Sequence, residues 1–425
     1  MENKINIALL QRILVENQEA VRRIELSERE IAIEAKGNYI FIGPRRAGKT
    51  FGLFQIAKRY AEEYSEKKIL YLNFEDDRLL TFNATHFQLI IDAYKNLFKE
   101  TPVLFLDEIQ NIGGWEKFAR RLADSGEYRV FITGSNAKML SREMATTLGG
   151  RYLIKNIYPF SFSEYLTANR VGQPEHWQFS SERYEIRRQF DEYFKFGGFP
   201  ELQHFKEKRM WLENLYQKVF YGDLVARYKI RNDFALRVLV SKLAESIHDG
   251  VSFNRMKNVI QAAGVPIGPA TVIEYVNFLE DSFLIFSVKN YLARMTERES
   301  QKKYYFIDNG IITLMQDSPK TMLLENLVAI TLKRRFGSDF YFARDGAEAD
   351  FYIPKTKTLI QAAYSLAGET EQREVGSMLK IQAKVKAKKL LIITLDEEKT
   401  IDFNGKTIEC VPVWKWVLQV SRNTA

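Results

Sequence analysis

The sequence predicts an α/β chain whose first third is a parallel sheet wrapped by helices. Three observations carry this. The apolar run Tyr39-Ile40-Phe41-Ile42 leads into Gly43-Pro44-Arg45-Arg46-Ala47-Gly48-Lys49-Thr50 and then into a helical pattern over 50–57. A second apolar run, Val103-Leu104-Phe105-Leu106, ends in Asp107-Glu108. A third, Tyr128 to Thr133, ends in Gly134-Ser135-Asn136. Unbroken apolar runs suit strands covered on both faces. Their polar ends would gather at the carboxyl edge of the sheet, where open α/β sheets bind ligands.

Taken in order, residues 1–36 read first as a helix, with Ile5, Leu9, Leu10, Ile13 and Leu14 on one face. Arg29 to Glu34 alternates polar and apolar residues and predicts a short strand. Residues 43–50 fit G-x-x-x-x-G-K-[ST], in which glycines let backbone N–H groups turn inward on phosphate oxygens. Lys49 is placed to reach the β- and γ-phosphates of ATP, and Thr50 to set its hydroxyl on Mg²⁺. The helix that follows would point its amino end at the anion. Lys67 to Asp76 predicts a further buried strand tipped with acids, lying between the loop and Asp107 in the chain. Asp107 is suited to hold Mg²⁺ through water, and Glu108 to polarise the water that attacks the γ-phosphate. Asn136 or Ser135 would orient that water or read the γ-phosphate; an ordinary Gly-Ser-Asn turn is the alternative.

Together with Asp107-Glu108-Ile109-Gln110-Asn111-Ile112, Thr133-Gly134-Ser135-Asn136, Gly150-Arg151-Tyr152, Tyr158-Pro159-Phe160-Ser161-Phe162-Ser163-Glu164 and Gly197-Gly198-Phe199-Pro200, the loop resembles a prokaryotic AAA+ ATPase family. The resemblance covers most of the chain. It implies an ATPase module joined to a carboxy-terminal region that looks like a PD-(D/E)xK nuclease fold. It implies that Asn136 is the sensor residue. Arg151 becomes a candidate arginine finger or sensor, serving its own nucleotide or a neighbouring subunit's, because a cation at the γ-phosphate stabilises phosphoryl transfer. The ATPase core is expected over 1–165.

Residues 166–235 predict a helical lid or linker broken at Gly197-Gly198-Phe199-Pro200, read as a hinge or as a plain helix-ending turn. Residues 236–292 predict three helices and a strand in the order of a winged helix, although Glu274, Glu280 and Asp281 would repel phosphate. Residues 293–425 predict the α/β nuclease-like domain. Glu325 and Asp350 match its first two metal-binding positions. Where the resemblance implies Glu-x-Lys, the chain has Gln361-Ala362-Ala363, which removes one anionic ligand and the ammonium. Cleavage is therefore expected to be weak or absent. Lys380, Lys384, Lys386, Lys388 and Lys389 would hold a phosphate backbone or form a solvated face.

Composition sets the remaining bounds. A hydrophobic content of 46% fits packed domains rather than disorder. The lone Cys410 excludes a disulfide framework and suits a reducing cytoplasm. Neither a signal peptide nor a membrane-spanning run is evident. His86, His176, His204 and His248 are scattered without zinc spacing. The net charge of +8 is compatible with a polyanionic partner. The expected function is Mg²⁺-dependent ATP hydrolysis whose ATP or ADP state controls contact with DNA or a protein partner, with a homo-oligomer if Arg151 acts between copies. The alternatives are a slow nucleotide-bound switch or scaffold and an ATP-regulated nuclease with an atypical site.

Overall fold

The computed structural model describes residues 5–135, 146–250, 252–295, 297–298, 302–316 and 320–422. Its residues fall into two compact units, 1–158 and 159–425.

The first unit is built on a five-stranded sheet. In chain order it contains α1 (Ile7–Arg23), β1 (Asn38–Ile42), α2 (Lys49–Glu63), β2 (Ile69–Asn73), α3 (Phe87–Phe98), β3 (Val103–Asp107), α4 (Trp115–Ser125), β4 (Arg129–Gly134) and β5 (Tyr152–Asn156). The sheet order is β2-β3-β4-β1-β5 and every pairing is parallel. The apolar runs are the buried strands. Phe41, Phe105 and Phe131 have no exposed surface, and the rings of Phe105 and Phe131 stack 5.0 Å apart. β4 lies between β1 and β3, and β2 lies at the edge beyond β3. The phosphate-loop strand and the Asp107 strand are thus separated by one strand, whose tip carries Thr133 and Ser135.

Helix α1 forms where expected and buries Leu10, Ile13 and Leu14. The alternating stretch Arg29–Glu34 is not a strand. Its backbone finds partners on a helix instead: the Arg29 N–H donates to Gln55 Oε1 (3.0 Å), and Gln55 Nε2 donates to the Arg29 carbonyl (2.9 Å). A segment paired this way needs no neighbouring strand. Ile31 is buried against α2, and Arg129 donates to the carbonyls of Glu34 (2.9 Å) and Gly37 (2.8 Å) to hold the far end.

The second unit begins with α5 (Phe162–Ala168), α6 (Glu182–Phe196), α7 (Lys208–Gln217) and a π-helical stretch, Lys218–Ala226. Ser161 and Glu164 form a capping box: the Glu164 N–H donates to Ser161 Oγ (3.1 Å), and the Ser161 N–H donates to Glu164 Oε2 (2.8 Å). Gly197 (φ 80°) ends α6. A Cβ there would lie 1.7 Å from Asp308 Oδ1, and one on Gly198 would lie 2.3 Å from the Phe160 carbonyl oxygen. The glycine pair is a tightly packed helix end.

Next come α8 (Asp233–Glu245), α9 (Phe253–Ala262), α10 (Pro269–Asp281), β6 (Ile285–Lys289) and β7 (Lys302–Phe306). β6 and β7 form an antiparallel pair. The unit closes with α11 (Asn309–Met315), α12 (Lys320–Phe336), β8 (Tyr341–Arg344), β9 (Glu348–Ile353), β10 (Thr358–Ala362), α13 (Glu369–Val385), β11 (Lys389–Thr394), β12 (Lys399–Phe403), β13 (Lys406–Pro412) and α14 (Val413–Arg422). Strands β8–β13 form a mixed sheet in the order β12-β13-β11-β10-β9-β8. β9 and β10 pair antiparallel with Ile360 opposite Phe351, which places Asp350 beside the end of β10. Among the described residues, no helix is long and apolar enough to cross a membrane.

Candidate functional site

The phosphate loop leaves the carboxyl end of β1, and its shape follows from its glycines. Gly43 adopts φ 153°, and a Cβ there would meet the Ile157 carbonyl oxygen at 2.0 Å. Gly48, at φ 89°, caps α2, whose first residues are Lys49 and Thr50. The loop therefore ends at the positive pole of a helix.

Lys49 is buried. Its Nζ donates to the carbonyls of Gly43 (3.2 Å) and Pro44 (3.0 Å) and lies 3.9 Å from Glu108 Oε1. Asp107, at the tip of β3, is buried and receives three hydroxyls. Thr50 Oγ1 and Tyr71 OH each donate to its Oδ2 at 2.8 Å, and Thr133 Oγ1 donates to its Oδ1. Burial pushes the Asp107 carboxyl above its ordinary range, against the lowering effect of the Thr133 and Thr50 hydroxyls. A buried acid whose partners are hydroxyls, which can rotate to offer their own oxygens to an ion, is a donor set that suits Mg²⁺. Thr50 and Asp107 fit that ion.

Glu108 follows at φ 51°, in the left-handed region that costs a residue with a side chain of order 1 kcal/mol. Its N–H donates to Thr133 Oγ1 (2.8 Å), so Thr133 fixes both acids. Gln110 Nε2 donates to Glu108 Oε2, and Glu108 Oε1 faces Lys49. The carboxylate is thereby held on the phosphate-loop side.

The structure brings Lys49, Thr50, Asp107 and Glu108 together, with loop residues 43–48 beside them. Ser135 is buried at the end of β4. Asn136 lies outside the described residues. Arg151 is not brought to the loop. It precedes β5 where Tyr152 is in register with Asn38, at the amino end of β1, whereas the loop leaves the other end. The separation along the strand is on the order of 15 Å. Arg151 is exposed, and its Nε donates to Asp124 Oδ1 at 2.9 Å.

Arg29 is a residue that sequence reasoning missed. It is buried, and its guanidinium donates to the Ala47 carbonyl (2.5 Å) inside the phosphate loop and to the Tyr158 carbonyl (2.7 Å). Its partners are backbone oxygens, so no spacing rule marks it.

In the second unit, Glu325, Asp350 and Gln361 also come together. The ammonium missing at 363 is present, supplied by Lys303 on β7: its Nζ lies 3.1 Å from Glu325 Oε1 and 3.4 Å from Asp350 Oδ1. Burial and then the Glu325 charge raise the Asp350 carboxyl. Glu325 is itself buried, but Lys303 and the His248 hydrogen bond outweigh that and hold it low. The sequence signal was slight: Lys303 follows Lys302 at the start of β7, directly ahead of the apolar Tyr304-Tyr305-Phe306, and a lysine drawn into a buried strand needs a buried partner.

Comparison with known proteins places this geometry in a family. Residues 36–166 match the model of an "AAA domain", and residues 187–321 match that of a domain of unknown function (DUF8612). The chain is 33% identical to "uncharacterized protein MJ1544" of Methanocaldococcus jannaschii, over 96% of this chain and 95% of that protein. It is 31% identical to an uncharacterized protein of Haemophilus influenzae, over 89% of this chain and 94% of that protein. Among solved structures, the Walker-type ATPase PABY2304 of Pyrococcus abyssi aligns at 12% identity and a TM-score of 0.41, covering 72% of this chain and 94% of that one. The chain belongs to a prokaryotic AAA+ ATPase family with archaeal and bacterial members.

Proposed function

We propose that this protein binds ATP with Mg²⁺ at the loop 43–50, hydrolyses it, and uses the ATP or ADP state to control contact with DNA or a protein partner. The observation that supports this most directly is the 2.8 Å bond between Thr50 Oγ1 and Asp107 Oδ2, with Lys49 and Glu108 beside it. In this reading the loop N–H groups and the amino end of α2 receive the phosphates. The Lys49 ammonium leaves the carbonyls of Gly43 and Pro44 for the β- and γ-phosphate oxygens. Mg²⁺, held by Thr50 and by Asp107 through water, supplies neutralising charge when bound. Glu108 accepts hydrogen bonds from the attacking water and takes its proton at a carboxylate oxygen. Thr133 keeps Glu108 and Asp107 in register. Asn136, in the segment following β4, would read the γ-phosphate, and Arg151 would serve the nucleotide of a neighbouring copy.

Contact with a partner falls to the second unit in this reading. Helices α8, α9 and α10 followed by the β6–β7 hairpin suit a winged helix, and the overall charge of +8 suits a polyanion. The slow-switch alternative is favoured by one observation, the engagement of both Glu108 oxygens by Gln110 and Lys49.

Calorimetric titration of Mg²⁺-ATP tests the binding step. Wild type binds one nucleotide per chain, and Lys49→Ala weakens binding by roughly 100-fold, the loss of a charge-assisted contact of about 3 kcal/mol. Equal affinity in the two proteins would remove the loop from the account.

A further inference from the structure

A second polar centre lies in the second unit, and the ATPase reading does not use it. Lys303 has no exposed side-chain surface. Its Nζ lies 2.6 Å from Glu348 Oε1, 3.1 Å from Glu325 Oε1 and 3.4 Å from Asp350 Oδ1. The ring of Phe342 stands 5.8 Å from the same nitrogen.

The oxygens around it are already in use. Glu325 Oε1 also accepts the Tyr305 hydroxyl (2.8 Å), and Glu325 Oε2 is bonded to His248 Nδ1. Asp350 Oδ2 accepts the Ala362 N–H (2.9 Å), and Glu348 Oε2 is paired with Arg344. Gln361 spends both ends of its amide on neighbours: its Oε1 accepts the Asp350 N–H (3.2 Å), and its Nε2 donates to Glu374 Oε2 (2.7 Å).

The resemblance to a PD-(D/E)xK fold implies a divalent cation among Glu325, Asp350 and residue 361. These residues do not fit one. Mg²⁺ demands oxygen ligands in near-octahedral array at about 2.0–2.1 Å, with lone pairs free to point at it. Here the lone pairs point at an ammonium, a phenol, an imidazole and backbone N–H groups. Among the described residues, no group of three His, Cys, Asp or Glu side chains is arranged to hold a metal ion. Charge agrees with geometry. Three carboxylates already face the Lys303 and Arg344 cations, and an incoming dication would have to expel a buried ammonium toward Phe342.

We propose that Lys303 is the resident cation of this centre. It stands where a metal ion would, joins β7 to α12 and β9, and makes this centre a metal-independent structural one without nuclease chemistry. The proposal goes beyond the ATPase reading and does not rest on it, because its test contains no nucleotide.

The test follows the thermal unfolding of the full chain with EDTA or with Mn²⁺, alongside incubation of the Mn²⁺ samples with single- and double-stranded DNA. Wild type is expected to melt at the same temperature in both and to leave both DNAs intact. Lys303→Gln is expected to melt roughly 10 °C lower in EDTA, because removing one partner strands buried carboxylates, and to regain stability with Mn²⁺. Should Lys303→Gln fail to fold, the wild-type comparison with Glu325→Gln and Asp350→Asn decides alone. Mn²⁺ stabilisation of wild type that Glu325→Gln removes would overturn the proposal. So would DNA cleavage that Asp350→Asn abolishes, or a Lys303→Gln chain as stable as wild type.

Discussion

Three hydroxyls on one carboxylate set the geometry of the candidate site. Thr50, Tyr71 and Thr133 all donate to Asp107, and Thr133 also receives the Glu108 N–H. The sequence made Lys49, Thr50, Asp107 and Glu108 legible, because each sits at a fixed place in a strand–loop–helix or a strand ending in acids. It did not reveal the residues that hold them. Tyr71 and Thr133 look like ordinary strand residues, and Arg29 looks like one polar position in an alternating run. Yet the Arg29 guanidinium bridges two backbone carbonyls, at Ala47 and Tyr158, that no motif describes. Arg29→Ala is expected to raise the KM for ATP about tenfold and to lower stability by about 2–3 kcal/mol, since two buried acceptors lose charge-assisted donors. Arg29→Lys, with one donor centre for two carbonyls, should recover stability in part and KM hardly at all. Steady-state kinetics with denaturant titration reads both. An unchanged KM in Arg29→Ala would leave the residue a purely structural role.

Elements show where family-like motifs do structural work. Ser161 and Glu164 cap α5, and Arg334 Nη2 donates to the same Glu164 carboxylate at 2.8 Å. Gly197 and Gly198 end α6 against Asp308, whose Oδ2 accepts the Gly198 N–H (2.8 Å) and whose Oδ1 accepts the Gly310 N–H (2.8 Å). Helices with one apolar face and strands with unbroken apolar runs were legible because their periodicity is local. Arg29–Glu34 was misread because period-two alternation describes any extended chain with one buried side, and Gln55 on α2 supplies what a neighbouring strand would have. Asp308 also gives this element a pH signature. Burial raises its carboxyl to about 6, against the lowering effect of the two N–H donors. An acid raised on folding stabilises below its ordinary pKa, and that contribution is lost as pH rises through 6. Relative to Asp308→Ala, wild type is therefore expected to lose about 2 kcal/mol between pH 4 and pH 7. Denaturant titrations of the two proteins across that range check it, and parallel curves would refute it.

At the scale of the whole molecule, the two units differ in how much of them is local in sequence. The first was readable as fold and site together, because a phosphate site is built from backbone turns that glycines announce. The second was readable mainly as a succession of elements. Its polar centre joins His248, Lys303, Glu325, Glu348 and Asp350 from well-separated parts of the chain, and only folding brings them into contact. The register of β5 on β1 likewise sets Arg151 at the end of the sheet away from its own phosphate loop, a placement that no local motif announces. Hydrolysis at the loop 43–50 hinges on the Glu108 carboxylate, and steady-state phosphate release reads it. Wild type is expected to turn over Mg²⁺-ATP, and Glu108→Gln to bind ATP normally while releasing phosphate at least about 100-fold more slowly, the usual worth of a general base. Wild-type release no faster than that of Glu108→Gln would mean that the loop holds nucleotide without hydrolysing it.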